Sequence, residues 1–147
     1  MPLTTFTATT NLKTSPFFNR TSHLNQSQSW RRWGGYLSAT HYELNHDNEY
    51  FAIRTKAALL DITPLFKYYI KGKDALYFID NLIPRDIYNC KIGQVLYSPW
   101  CNEFGKVIDD GTIQRLGHNE FRITSAEPNL NWLENNSTGL DIEILDE

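Results

Sequence analysis

The stretch from Gln94 to Leu116, QVLYSPWCNEFGKVIDDGTIQRL, reads as a β-hairpin. Gln94 to Trp100 is one strand-like arm and Lys106 to Leu116 is the other. Asn102-Glu103-Phe104-Gly105 lies between them as the turn, with glycine able to supply a positive φ. Two adjacent acids, Asp109 and Asp110, interrupt the second arm between Val107-Ile108 and Thr112-Ile113. Aspartate is among the residues least favoured in strands. Successive side chains on a strand point to opposite faces. One carboxylate therefore faces water, and the other faces the interior or a cleft. An inward carboxylate is costly unless a partner or ligand meets it, so the pair marks the candidate functional site.

The segments on either side give the hairpin its context. Phe66, Tyr68 and Ile70 alternate with Lys67, Tyr69 and Lys71, the pattern of a half-buried strand ended by Gly72. Asp74 to Ile83 carries Ala75, Phe78, Ile79, Leu82 and Ile83 at helical spacing, and Pro84 stops it. Beyond the hairpin, Gly117-His118-Asn119-Glu120 is a turn and Phe121 to Thr124 a strand. Pro128 suits the first turn of a helix carrying Leu130 and Leu133, Gly139 suits its C-terminal cap, and Leu140 to Leu145 alternates as a closing strand. Strand, helix, a run of strands, helix, strand is the order of a split βαβ, ferredoxin-like antiparallel sheet with two covering helices. The fold class is α+β, with a ferredoxin-like core over about 65–147. Upstream, residues 46–59 read as a helix with Tyr50, Ile53 and Ala57 on one face. Residues 15–48 read as an irregular, aromatic-rich segment, and residues 1–14 as a flexible tail.

The run Gly93 to Asp110 resembles the GxxxYxxxCNExGGxxDD pattern of the folate-binding aminomethyltransferase family, which includes the T-protein of the glycine cleavage system. Glu49 to Ile62, EYFAIRTKAALLDI, is similar to that family's E-x-x-A-V-R-x-x-x-G-L-F-D-V. The resemblance extends from about Ser15 to the end and covers only the N-terminal portion of a family member. Thr63-Pro64-Leu65, Pro84-Arg85-Asp86 and Lys106 depart from the glycine-cleavage pattern. They place the chain closer to the wider T-protein-like and demethylase branch.

The resemblance implies a tetrahydrofolate-dependent aminomethyl or methyl transferase, present as a partial chain. A non-catalytic folate-binding or interaction module of the same family is the alternative. It implies that Asp110, the second acid of the pair, is the catalytic carboxylate and orients tetrahydrofolate. It implies that Tyr97 lines the folate pocket with a flat ring and a hydroxyl. Gln114 stands where the family often has a second tyrosine, and is the third candidate cofactor contact. Asp109 is expected to be solvated. Arg85-Asp86 is expected to form a surface ion pair of little consequence, and Arg54 to anchor its helix to a neighbouring sheet. The implied partners are a methylated amine, ether or sulfonium donor and a complementary C-terminal half or a second copy. A lipoylated carrier protein is implied only for the glycine-cleavage type.

Composition bounds these readings. The chain has 147 residues, 41% hydrophobic and 14% aromatic, enough for a packed core. The first 42 residues hold four cations, Lys13, Arg20, Arg31 and Arg32, and no acid. Net charge is −3 overall, so the remainder carries −7, the difference between −3 and +4. Trp30-Arg31-Arg32-Trp33 mixes cations with stacking surfaces, but one basic tetrad in an acidic chain argues for packing rather than a nucleic-acid partner. No apolar run approaches the length that crosses a bilayer, and no secretory h-region follows Met1. The expected location is cytoplasmic, or the mitochondrial matrix in a eukaryote. Cys90 and Cys101 are isolated thiols, expected reduced, and no histidine spacing suggests a metal.

Overall fold

The computed structural model describes residues 12–147, which form a unit ending at Pro64 and a second unit from Leu65 to Glu147. The first eleven residues of the expected tail lie outside the described residues. Lys13–Thr14 (β1), placed in that tail by the sequence reading, pairs in parallel with Tyr36–Ala39 (β3).

The first unit is more regular than its sequence suggests. After β1 come a single helical turn, Phe18–Thr21 (α1), and a 3-10 turn, Ser22–Leu24. Trp30–Trp33 (β2) then pairs antiparallel with β3 through the two-residue loop Gly34-Gly35. Both glycines have positive φ, +53° and +83°, as the tight hairpin turns that match strand twist require. Trp30 packs at a tilt against Phe18 with ring centroids 5.3 Å apart, and the Arg31 guanidinium lies over the Trp33 ring. Trp30, Arg31 and Trp33 of the tetrad thus find aromatic or cation–π contacts within the first unit. The expected helix over 46–59 is observed as Asp47–Thr55 (α2), and Ala57 falls beyond its end. None of its residues is buried, and Ile53 is 67% exposed. Among the described residues Arg54 reaches no sheet partner; it lies over Tyr50 of its own helix.

The second unit follows the predicted order, as Phe66–Lys71 (β4), Ala75–Leu82 (α3), Val95–Cys101 (β5), Val107–Gly117 (β6), Glu120–Ser125 (β7), Leu130–Asn136 (α4) and Glu143–Asp146 (β8). Its five strands lie in the order β5-β6-β7-β4-β8, every neighbouring pair antiparallel. Four of them, β8-β4-β7-β6, reproduce the ferredoxin-like order, and β5 is added at the edge beside β6. The protein is α+β.

The core lies on one face of this sheet. Tyr68, Ile70, Trp100, Ile113, Phe121 and Ile123 point from the strands toward Ala75, Phe78, Ile79 and Leu82 of α3 and Leu133 of α4. Residues of opposite parity, among them Tyr97, Asp110, Thr112, Gln114 and Arg122, share the other face, because the register pairs Tyr97 with Thr112 and Gln114 with Arg122. Pro128 sits just ahead of the α4 cap residue Asn129 rather than inside the helix.

Candidate functional site

The site is built on the hairpin of β5 and β6. Its turn is fixed by Asn102, whose side-chain oxygen accepts the N–H groups of Phe104 and Lys106 at 3.0 Å each. Gly105 takes the positive φ of +72° that this turn needs. The two arms are not in simple register. Cys101 opposes Val107 and Trp100 opposes Asp109, so Ile108 is an extra residue, a β-bulge.

The bulge decides which acid goes in. Asp109 opposes Trp100 and turns to the core side, where it is 8% exposed. Asp110 opposes Pro99 and stands exposed on the open face. The expectation that Asp109 is solvated is therefore corrected. Its Oδ1 accepts the Asp110 N–H at 2.8 Å, and its Oδ2 accepts the Glu127 N–H at 3.1 Å and Asn129 Nδ2–H at 2.7 Å. Burial without a cation is tolerated because three N–H donors meet the carboxylate. Asn129 also accepts Trp100 Nε1–H at 3.2 Å, and its own N–H donates to Tyr68 Oη at 2.7 Å. Burial raises the Tyr68 phenol above its ordinary value, and the hydrogen bond from Asn129 opposes the rise.

Of the three candidate residues, the structure brings two together. Tyr97 and Asp110 are diagonal neighbours across β5 and β6, and the Tyr97 hydroxyl donates to Asp110 Oδ2. That hydrogen bond, with a smaller contribution from desolvation, holds the Tyr97 phenol above its ordinary range. Tyr97 is 58% exposed, so one face of its ring is open to a ligand. Gln114 lies on the same face, four residues along β6 from Asp110, about 13 Å at ~3.3 Å per residue. By register it is the other diagonal neighbour of Tyr97, which opposes Thr112.

Arg85 and Asp86 do not form the expected ion pair among the described residues. Arg85 Nη1 donates to the Tyr97 carbonyl at 3.0 Å, capping the exposed edge of β5 beside the site. Asp86 instead accepts the Tyr88 N–H at 2.8 Å and an amide hydrogen of Asn89, closing the turn after α3. Sequence reasoning also missed the inward role of Asp109. Its signal was parity with Ile113, four positions on and fully buried. Arg122, on the same open face as Gln114 and opposite it in register, gave no sequence signal.

On this face Tyr97 and Asp110 are both exposed. Two concavities lie elsewhere, one of about 230 Å³ lined by Tyr77, Leu82 and Leu140 between α3 and α4, the other of about 610 Å³ beside Lys71, His118 and Glu143. Neither includes Tyr97 or Asp110. Tyr97 and Asp110 together offer a flat aromatic face and a carboxylate whose second oxygen has no hydrogen-bond donor among the described residues. This suits a planar heterocycle bearing N–H donors. No helix among the described residues is long and apolar enough to cross a membrane.

Known proteins resemble the chain along nearly its whole described length. An aminomethyltransferase of Clostridium botulinum (strain Okra / Type B1) is 35% identical over 104 residues, covering 68% of this chain and 28% of that protein. An aminomethyltransferase of Thermotoga petrophila is 28% identical over 138 residues, 91% of this chain and 37% of its own. The crystal structure of glycine cleavage system aminomethyltransferase T from Bartonella henselae superposes with a TM-score of 0.81 at 25% identity, over 92% of this chain and 38% of that one. The chain thus spans less than two fifths of the length of these relatives. Residues 19–147 match the family model described as the GCVT N-terminal domain, and to that family this chain belongs.

Proposed function

We propose that the chain provides the tetrahydrofolate-contacting part of a one-carbon transferase, with Asp110 as its catalytic carboxylate and Tyr97 as its aromatic contact. The observation that carries this reading is the Tyr97–Asp110 pair, displayed on an open sheet face rather than buried in the core. When bound, tetrahydrofolate supplies the nitrogen that receives a one-carbon unit from its donor. Every other part of the reading concerns the chain's own atoms. Asp110 accepts a ligand N–H through the oxygen that Tyr97 leaves free, which orients the ligand and shares its proton. Its charge favours the positive charge that develops as the nitrogen is alkylated. Tyr97 fixes the carboxylate through Oδ2 and lends its ring as a stacking surface. Gln114, further along the face, supplies an amide for the distal part of the ligand.

The donor we propose is a methylated amine, ether or sulfonium compound, in line with the departures from the glycine-cleavage pattern at Pro84-Arg85-Asp86 and Lys106. A lipoylated carrier belongs to this reading only if the donor is the glycine-cleavage aminomethyl group. An open face is one wall of a site, and transfer needs water excluded from both sides. We therefore assign the chain binding on its own, and transfer only with the complementary C-terminal polypeptide that its longer relatives carry.

The test is calorimetric titration of the purified chain with tetrahydrofolate, with Asp110→Asn as control. Saturable binding, weakened about tenfold or more by the substitution, is the expected result. Equal affinity of the two chains would remove Asp110 from the site. No binding by either folded chain, nor after adding a relative's C-terminal half, would overturn the assignment.

A further inference from the structure

The main chain of Asp110 has a strand neighbour on one side only. The β6–β7 ladder begins at Gly111 opposite Ser125, so Asp109 and Asp110 lie beyond the end of β7. On the other side Asp110 opposes Pro99 in a non-hydrogen-bonded pair, since Arg115 N–H bonds the Gln94 carbonyl and the Tyr97 carbonyl points outward to Arg85, so the Asp110 N–H faces away from β5. A bulge at Ile108 loosens the register just before them. The Asp110 N–H therefore points to the side where β7 has already ended, and no strand residue meets it.

Asp109 fills this gap. Its Oδ1 takes the Asp110 N–H, and its Oδ2 takes the Glu127 N–H and Asn129 Nδ2–H from the loop that follows β7. Both oxygens face donors. Only a carboxylate is an acceptor on both sides; an asparagine would turn an NH2 against one of those N–H groups. Asn129 is itself clamped, since it accepts from Trp100, which is fully buried, and donates its N–H to Tyr68. The chain of contacts thus runs from the core, through Asp109, to the main chain of Asp110.

We infer that Asp109 is a positioning residue: by replacing the missing strand partner of Asp110 it sets the Asp110 carboxylate against the Tyr97 hydroxyl. The ligand consequence rests on the tetrahydrofolate reading above; the geometry does not.

Two readouts separate these. The first is titration of the Tyr97 phenol, followed by NMR of carbon-13-labelled tyrosine and assigned with Tyr97→Phe. In the natural chain Tyr97 titrates above its ordinary range because Asp110 accepts its hydrogen bond. Asp110→Asn returns it toward that range. Asp109→Asn is expected to do the same although Asp110 is still present. A merely structural Asp109 would lower the melting temperature and leave the Tyr97 titration where it was, and that result in folded Asp109→Asn overturns the inference. So does a Tyr97 that does not respond to Asp110→Asn, since the contact to be positioned would then not exist. Where Asp109→Asn fails to fold, Asn129→Ala, which removes one of the two donors to Oδ2, should move Tyr97 in the same direction by less; a folded variant that leaves Tyr97 unmoved sinks the proposal.

The second readout is tetrahydrofolate affinity. Asp109→Asn should weaken it by several-fold, and the double variant with Asp110→Asn should bind no more weakly than Asp110→Asn alone, because Asp109 acts through Asp110. Additive losses would overturn the positioning role. A natural chain that shows the expected Tyr97 behaviour but binds no tetrahydrofolate, even with the C-terminal half supplied, would refute the ligand reading and uphold the positioning.

Discussion

Trp100 and Asp109 stand opposite each other across β5 and β6, and Asn129 bridges them. It accepts the indole N–H at 3.2 Å and donates to the carboxylate at 2.7 Å. This ties the edge hairpin to the cap of α4, two regions 20 to 29 residues apart in the chain. Replacing Asn129 with alanine leaves a buried indole N–H unpaired and removes a donor from a buried carboxylate. The expected cost is about 2 kcal/mol for the orphaned groups, or roughly 8–16 °C in melting temperature for a domain of this size. Asn129→Asp should be worse than alanine, because it sets acceptor against acceptor. Differential scanning calorimetry of the two variants checks the order.

Gly111, next in sequence to Asp110, has no room for a side chain. A Cβ there would lie 2.1 Å from the Thr124 carbonyl oxygen and 3.2 Å from Trp100 Cη2. The first neighbour is main chain in β7 and cannot rotate aside. Gly111→Ala should therefore cost about 3 kcal/mol, the upper range for overpacking, or yield insoluble chain. A urea midpoint within error of the natural protein would show that β6 and β7 are not so closely apposed.

The sequence carried the second unit well and the site only in part. Alternation over Phe66 to Lys71 and the helical spacing of Ala75, Phe78, Ile79 and Leu82 identified elements whose bounds agree to within about a residue with those observed. Their residues bury one face against a common core, so local pattern and tertiary packing ask for the same thing. The acid pair was harder. Counting back from the turn pair Cys101–Val107 sends Asp109 outward with Pro99; counting from buried Ile113 sends it inward. The bulge at Ile108 reconciles the two, and single-residue bulges leave no composition signature. Chain alternation thus showed that the acids part company, while the side each takes depended on an inserted residue. The first unit hid its hairpin for another reason. Its strands are four residues long, too short for periodicity to register, and only Gly34-Gly35 betrays the turn. Arg85 was misjudged because its partner is a main-chain carbonyl twelve residues away, which no side-chain pattern encodes.

The Arg122–Glu147 pair gives a small pH-dependent term. Arg122 meets both carboxylate oxygens, at 2.5 and 2.9 Å, across the open face. The hydrogen bond from Arg122 lowers the Glu147 carboxyl below its ordinary 4.5, against a smaller opposing effect of burial. The folded value lies below the unfolded one, so the pair's stabilisation is complete above about pH 4.5 and is lost as pH falls through the folded value. Both side chains are 35% exposed, so solvent screening limits it to about 0.2–1 kcal/mol. Urea titrations of the natural chain and Glu147→Gln should differ by that amount near neutrality and converge in acid. A gap that does not narrow as pH is lowered would assign the difference to something other than this ion pair.

Tyr97 offers a ligand two things, a ring and a hydroxyl, and the structure says which is free. The hydroxyl is committed to Asp110 Oδ2, whereas the ring is more than half exposed at the sheet edge. Stacking should therefore dominate its contribution, and the hydroxyl should act indirectly by holding the carboxylate. Tyr97→Phe keeps the ring and releases one oxygen of Asp110; tetrahydrofolate affinity should fall by about threefold or less. Tyr97→Ala removes the stacking surface, worth about 1 kcal/mol or more beyond buried area for an aromatic pair, and affinity should fall roughly tenfold. Both variants should fold, because the ring contributes nothing to the buried core. Calorimetric titration of the two variants beside the natural chain reads the order directly. Equal losses for phenylalanine and alanine would make the hydroxyl the contact, and the carboxylate beside it would then have to turn from Tyr97 to meet the ligand.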